Sequence, residues 1–582
     1  MPTPVTSAGI DRRSFMGLCS MAGLSGSRLS SALWITAAPG RSGQGPQASQ
    51  TAPKITRDML IAAETVIGLE QTDTERDLML DNLNQSLSAY AALRRIALSN
   101  SVLPAIRFDP LLPGISSLPV PRRLAKSAAR RVSVTRPATD GELAFLGVTE
   151  LGALLRAGKV TATELTRLSI DRFKRFDPEL LAVVTLLEDR AMEQARQADA
   201  ELKRGKPRGP LHGIPWGAKD LLAVANYPTT WGSPIYRTQV LPETATVVER
   251  LDAAGAVLVA KLSLGEFAQG DVWYGGTTKN PWKIEQGSSG SSAGPASATA
   301  AGCVAFAIGS ETQGSIVSPS TRCGTTGLRP TFGRVSRQGA MALSWTMDKL
   351  GPICRSATDC GLVFSVIHGP DGKDPTVHDR PFAWAPAQGL AGLRIGYLTA
   401  AFEADHATKA FDAKALDVLG GMGVNLVPLE LPADLPTAGL RIILTAEAAA
   451  AFDEVTRSGK DDQMVQQNRS AWPNTFRSAR FIPAVEYIQA NRIRTLLMQR
   501  FDAFMQPVDL FVAPSFAANL IQITNLTGHP ALVLPNGFTA EGTPVSLSFI
   551  GRLFGEADLL AAGEAYQAAT DFNKRRPEKF VS

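Results

Sequence analysis

The chain of 582 residues carries 59 Lys and Arg against 54 Asp and Glu, for a formal charge of +5, and is 44% hydrophobic. That apolar fraction supplies a sizeable core, and so small and dispersed a charge gives no footprint for nucleic acid. The local basic cluster, Arg122, Arg123, Lys126, Arg130, Arg131 and Arg136, has no interleaved aromatic residue and reads as a solvated linker.

In chain order, Asp11-Arg12-Arg13-Ser14-Phe15-Met16 precedes a weakly apolar stretch that ends in the small residues Thr36-Ala37-Ala38. This resembles a twin-arginine export leader, so residues 1–38 are expected to be removed and the protein to be periplasmic or secreted in a bacterium. With Arg28, Gly and Ser in it, the stretch falls short of the ~20 apolar residues a spanning helix needs. No membrane-spanning segment is expected once the leader is gone.

Residues 39–54 are rich in Gly, Ser, Gln and Pro and read as a disordered linker. A helical extension is expected over 55–109: Thr56 opens one helix, and Thr72-Asp73-Thr74-Glu75 has the form of a capping box for the next. Leu80, Leu83, Leu87 and Tyr90 continue at helical spacing as a packing stripe. Prolines mark 110–145 as an extended linker. Helices are expected at Leu151–Leu155, Thr161–Phe173 and Ala191–Lys203. From Gly209 onward short apolar strands such as Val257–Lys261 alternate with helices, the pattern of an α/β domain. Residues 146–578 are assigned to that one domain, with a variable, helix-rich region at about 370–505. Cys303, Cys323, Cys354 and Cys360 remain once Cys19 leaves with the leader. Their spacing fits no zinc pattern, and they read as small buried hydrophobes. No metal and no cofactor are expected.

The chemistry concentrates in a tract rich in Gly, Ser and Ala, from Gly287 to Pro330. A flexible linker would share that composition but would lack Cys303–Ile308, an apolar run that reads as a buried strand. A serine hydroxyl needs a base to become a nucleophile. The chain has five His in all, and no Ser/His/Asp pattern accompanies the tract. A lysine can serve if burial without a counter-charge lowers its pKa. Lys219 follows the apolar turn Gly213–Ala218, and its neighbour Asp220 would point to the opposite face of a strand.

Ser291-Ser292, Ala307–Ser315 (AIGSETQGS) and His212–Asp220 (HGIPWGAKD) stand in the spacing of the amidase signature family, which this chain resembles from about Leu151 to Arg552. Lys261–Ala268, Asn280-Pro281-Trp282, Cys323–Ser336, Asp348–Asp359, Asn525–Pro535 and Gly542–Arg552 extend the resemblance in order. It implies one large α/β domain with a mixed sheet flanked by helices, and a Lys219, Ser291, Ser315 triad with Ser291 on a cis peptide. By the same resemblance, neutral Lys219 takes a proton from Ser291, which relays one from the nucleophile Ser315. Thr312, Gln313 and Gly314 would present backbone N–H groups to the oxyanion. Ser292 would open a short helix over Ala293–Ala301, its N-terminus aimed at the seryl pair.

Departures from the family pattern are specific. Ser289-Gly290 stands for Gly-Gly, Gln313 for Gly, and Ile316-Val317-Ser318-Pro319 lacks the usual Arg. The resemblance leads to an exported amidase that releases ammonia or an amine from a small-molecule amide, with homo-oligomerisation left open. Two alternatives stand beside it. One is the glutaminase subunit of a tRNA-dependent amidotransferase, which an export leader disfavours. The other is a catalytically silent binding protein on the same scaffold.

Overall fold

The computed structural model describes residues 54–93, 95–96, 98–102, 104, 106–113, 134–384, 390 and 392–581. The expected leader, almost all of the 39–54 linker and most of the basic cluster lie outside the described residues. Two compact units are present. Helices α1 (Arg57–Ile67) and α2 (Asp73–Leu93) follow the expected starts, the smaller unit holding α1 up to Ala62 and all of α2. The capping box forms: Thr72 N–H donates to Glu75 at 2.7 Å, and Glu75 N–H donates to Thr72 Oγ1 at 3.4 Å. Leu80, Leu83 and Leu87 are half-buried.

The extension differs from expectation at its end. Helix stops at Leu93, and the described residues from 98 to 113 form neither helix nor strand. The proline-rich stretch also ends sooner than its composition suggests. Helix α3 (Asp140–Ala144) begins within it, because Thr139 and Glu142 form a reciprocal cap that composition conceals. Helices α4 (Val148–Arg156), α5 (Ala162–Leu180) and α6 (Glu188–Lys203) then follow, each longer than its apolar pattern indicated.

The larger unit is built on one mixed sheet of 11 strands. In chain order these are β1 (Val183–Leu186), β2 (Pro215–Lys219), β3 (Val257–Leu262), β4 (Phe306–Glu311), β5 (Thr326–Arg329), β6 (Lys349–Cys354) and β7 (Ile395–Leu398). Strands β8 (Leu426–Leu429), β9 (Leu510–Pro514), β10 (Ala531–Phe538) and β11 (Pro544–Gly551) complete it. Across the sheet the order is β1-β3-β2-β4-β6-β5-β10-β11-β9-β7-β8. The trios β3-β2-β4 and β9-β7-β8 are parallel, and the pairings between them are antiparallel. Every residue of β2, β3, β4, β5, β6 and β9 is buried, so these strands do not alternate between a buried and a solvated face.

Helices cover the sheet. Among them are α7 (Ala293–Ala300), α8 (Val317–Cys323), α9 (Ala357–Ile367), α10 (Arg441–Ala451), α11 (Trp472–Ala479), α12 (Ala484–Met505), α13 (Leu520–Thr527) and α14 (Glu556–Thr570). The variable region supplies the long helices expected of it, and also the two parallel strands β7 and β8. One strand starts late. Cys303–Ala305 is a buried turn rather than strand, because Cys303 N–H donates to Ala298 C=O at 2.9 Å and is still closing α7. Cys303, Cys323, Cys354 and Cys360 are free and buried. No helix among the described residues is long and apolar enough to cross a membrane.

Candidate active site

Strands β2 and β4 are parallel neighbours, with Ala218 opposite Ile308, so their carboxyl ends finish side by side. Ligands of open α/β sheets gather at such ends. Lys219 is the last residue of β2 and Ser310 the last but one of β4. Lys219 Nζ is fully buried and donates to Ser291 Oγ at 2.8 Å, Ser310 Oγ at 2.9 Å and Ser292 Oγ at 3.1 Å. An ammonium and a neutral amine differ in what such a site costs them. Burial pushes the Lys219 pKa well below its ordinary value, against a pull from Asp348 and Glu311.

Asp220, next to Lys219 in sequence, lies 2.8 Å from Lys261 Nζ, and both side chains are fully buried. Asp220 Oδ2 also accepts from Thr230 N–H at 2.9 Å and Thr230 Oγ1 at 2.6 Å. The carboxylate beside Lys219 is thus committed to another lysine on β3, while Lys219 itself meets hydroxyls only.

Ser291 is held by a tight crossing of two loops. The Gly290–Ser291 peptide is cis, as the resemblance implied. A Cβ at Gly290 would overlap the Gly270 carbonyl, so only glycine fits where the family has one. The departure at Ser289 is accommodated at φ +61, with its N–H donating to Asp271 Oδ2 at 2.8 Å. Ser292 staples the start of α7 to β4: its Oγ donates to Ser310 C=O at 3.0 Å and accepts from Ser310 N–H at 3.1 Å. Helix α7 begins at Ala293, so Ser292 stands at its N-terminus as expected.

Ser315 follows Gly314, whose φ of +96 is a conformation that favours glycine. Ser315 is 8% exposed, and its carbonyl accepts from Ser292 N–H at 3.1 Å. That bond joins the two seryl segments. Among the described residues no hydrogen bond joins the Ser291 and Ser315 hydroxyls themselves.

Glu311, at the end of β4, clamps the turn that carries Ser315. Its Oε2 accepts from Ile316 N–H at 2.8 Å and Val317 N–H at 3.0 Å, at the start of α8. Its Oε1 accepts from Arg329 at 2.7 Å and Asn525 at 2.7 Å. Burial alone would raise its pKa, but the Arg329 guanidinium and these bonds hold it down at about 2. The carboxylate therefore adds stability above its unfolded pKa of 4.5, and that stability is lost as pH falls through about 2. Glu311→Gln leaves Arg329 buried without its partner and is expected to cost about 3–5 kcal/mol, read as a fall in thermal midpoint at neutral pH. An unchanged midpoint would show that the clamp does not carry the turn.

Thr312 and Gln313 have side-chain partners that the sequence did not announce. Thr312 Oγ1 donates to Asp348 Oδ1 at 2.6 Å, while Asp348 Oδ2 accepts from Leu343 N–H at 2.8 Å and Ser344 N–H at 3.0 Å. Gln313, in place of the family glycine, is half-buried, and its Nε2 lies 3.4 Å from Gln522 Oε1 of α13. Ser310, Asp348 and the Glu311 clamp are thus site residues that sequence reasoning did not assign. Asp348 lies just ahead of β6, which runs antiparallel to β4 and sets Lys349 opposite Glu311.

A cavity of about 990 Å³ lined by Thr149, Arg156, Arg355, Thr358, Glu564 and Arg576, among others, includes none of these residues. Among the described residues no group of three or more His, Cys, Asp and Glu could hold a metal ion.

Comparison with known proteins agrees with this geometry. The sequence model of the Amidase family matches residues 164–560. A glutamyl-tRNA(Gln) amidotransferase subunit from Chloroflexus aggregans is 37% identical over 488 residues, covering 75% of this chain and 99% of that protein. The native peptide amidase of Stenotrophomonas maltophilia superposes with a TM-score of 0.66 at 31% identity, over 73% of this chain and 97% of that one. An amidase family protein from Bacillus anthracis gives 0.68 at 26% identity, over 75% and 94%. Fold and relatives together define a hydrolase acting on amide carbon–nitrogen bonds. The chain belongs to the amidase signature family.

Proposed function

We propose that the chain hydrolyses a carboxylic amide through an acyl-enzyme on Ser315, with neutral Lys219 as base and Ser291 as proton relay. The observation that carries this is the 2.8 Å bond from Lys219 Nζ to Ser291 Oγ, at a lysine whose neighbouring carboxylate serves Lys261 instead. In the first half-reaction Lys219 takes the Ser291 proton and Ser291 takes that of Ser315. Ser315 Oγ bonds to the amide carbon, and the carbonyl oxygen gains charge near the N–H groups of the Thr312–Ser315 turn. The C–N bond breaks as the relay returns a proton to the leaving nitrogen. Water then attacks the ester, Lys219 and Ser291 again moving the proton, and the carboxylate leaves. The link from Ser291 to Ser315 is to form when substrate closes the site, since catalytic hydrogen bonds commonly tighten only in the complex.

Two readings of substrate follow. Similarity over 75% of this chain and 99% of a glutamyl-tRNA(Gln) amidotransferase subunit supports glutamine as the amide and a partner complex that receives the ammonia; this reading has the stronger support among relatives. A free-standing, exported amidase draws its support from the peptide amidase likeness, from the Arg12-Arg13 pair and from Val317-Ser318, where no cation stands to receive a substrate carboxylate. Ammonia release from glutamine, peptide amides and aryl amides, combined with cell fractionation, decides between them. Turnover confined to glutamine by cytoplasmic protein supports the first reading. Turnover of other amides by processed periplasmic protein supports the second. A folded chain inert toward the whole panel would leave the scaffold reading.

A further inference from the structure

The residues ahead of the matched family segment are not confined to a separate helical unit. The described residues among 98–113 belong to the same compact unit as the sheet, and one of them, Asn100, reaches the loop between Gln338 and Asp348. Asn100 makes a reciprocal amide pair with that loop: its Nδ2 donates to Ala342 C=O at 2.9 Å, and its Oδ1 accepts from Ala342 N–H at 2.7 Å. Phe108 stacks under the Arg494 guanidinium of α12, 3.6 Å from its carbon, and meets Phe332 edge-on at 5.0 Å. Arg494 in turn donates to Thr346 Oγ1 at 2.9 Å and Thr346 C=O at 3.0 Å.

The loop needs such anchors, because most of it has no ladder of its own. Glu447 of α10 holds it from another side, accepting from Ser344 Oγ at 2.6 Å and Thr346 N–H at 3.1 Å. What the loop delivers is Asp348. Ala342 is followed by the two N–H groups, of Leu343 and Ser344, that fix one Asp348 oxygen, while the other receives Thr312 Oγ1. A small void of about 40 Å³ is lined by Asn100, Ser101, Trp345 and Asp348, among others.

We infer that Asn100 is a positioning residue for the seryl site, setting the Ala342–Asp348 loop and through it the Thr312–Ser315 turn. This inference rests on the reading of Ser315 as nucleophile. Asn100 touches no reacting atom. Its effect passes through Ala342 and Asp348 to the turn whose N–H groups face the oxyanion. Small misplacements there are costly to the chemical step and cheap to substrate binding.

The test uses the full chain and whichever amide it turns over best, with Ser315→Ala, Asn100→Ala and Arg107→Ala side by side. Arg107 anchors the same stretch at a different place, donating to Pro375 C=O at 2.8 Å, and does not touch the loop. Asn100→Ala is expected to lower kcat by ~10-fold or more, with KM within ~2-fold and a thermal midpoint near wild type, as for a displaced catalytic turn. Arg107→Ala should leave kcat unchanged. Should Asn100→Ala fail to fold, Asn100→Asp keeps the acceptor for Ala342 N–H, loses the donor to its carbonyl, and should give the same split. A folded Asn100 variant with wild-type kcat, or an equal loss in Arg107→Ala, overturns the inference. Activity surviving in Ser315→Ala would overturn the functional reading instead.

Discussion

Ser315→Ala is expected to lose amide hydrolysis by on the order of 10⁴–10⁶-fold in kcat, the scale seen when a seryl nucleophile is removed elsewhere. It should do so without unfolding. The bond that ties Ser315 to the other seryl segment runs from Ser292 N–H to its carbonyl and survives loss of the hydroxyl. The turn is held by Glu311 through Ile316 and Val317, not through the hydroxyl. Circular dichroism and the thermal midpoint should therefore match wild type. Ser291→Ala should also fall by orders of magnitude. Were Ser292→Ala the more damaging change, the relay would run through the neighbouring serine, which also lies within reach of Lys219 at 3.1 Å.

Lys219→Arg is the second large expected effect. Arginine keeps a cation at the position but cannot give up its proton in the working range, so turnover should vanish. In the wild type, activity should rise with pH as Lys219 loses its proton. The same group sets a slope in stability. An unfolded lysine keeps its proton up to about pH 10.5, whereas burial makes Lys219 release it much lower in the folded state. Unfolding between those two pKa values then takes up a proton, so this group makes stability rise with pH across that window and level off above the unfolded value. Lys219→Met should abolish activity and flatten that slope, with its midpoint best relative to wild type on the acid side. An active arginine variant, or a methionine variant with the wild-type slope, would remove lysine as base.

The α/β fold was legible in short local patterns, and the positions Lys219, Ser291 and Ser315 were expected from the family resemblance that short motifs carry. Lys219 ends a short apolar run, the paired serines open a run of small residues, and Gly314-Ser315 lies in the turn after the apolar strand β4. Each is a short segment with its own physical signature. Where expectation failed, the deciding partner was remote or the signal was masked. The start of β4 was misplaced because apolar Cys303–Ala305 is still engaged with α7. The capping pair Thr139 and Glu142 was hidden by surrounding prolines. Asp348 and Ser310 escaped assignment because their roles arise only when β2, β4 and β6 lie side by side. The commitment of Asp220 to Lys261 depends on β2 and β3 being parallel, a pairing of residues 41 positions apart by sequence number. Gln313 stood out in the sequence as a departure, but its neighbour Gln522 of α13 could not be read from its own segment.

The central claim is that Ser315 is the nucleophile, and it can be read directly. The purified full chain is treated with a serine-directed fluorophosphonate, digested, and the adduct located by tandem mass spectrometry. The account predicts one adduct per chain, on Ser315, formed faster as pH rises, and absent from both Ser315→Ala and Lys219→Arg. An adduct on Ser291 or Ser292, or labelling that persists undiminished in Ser315→Ala, would contradict it.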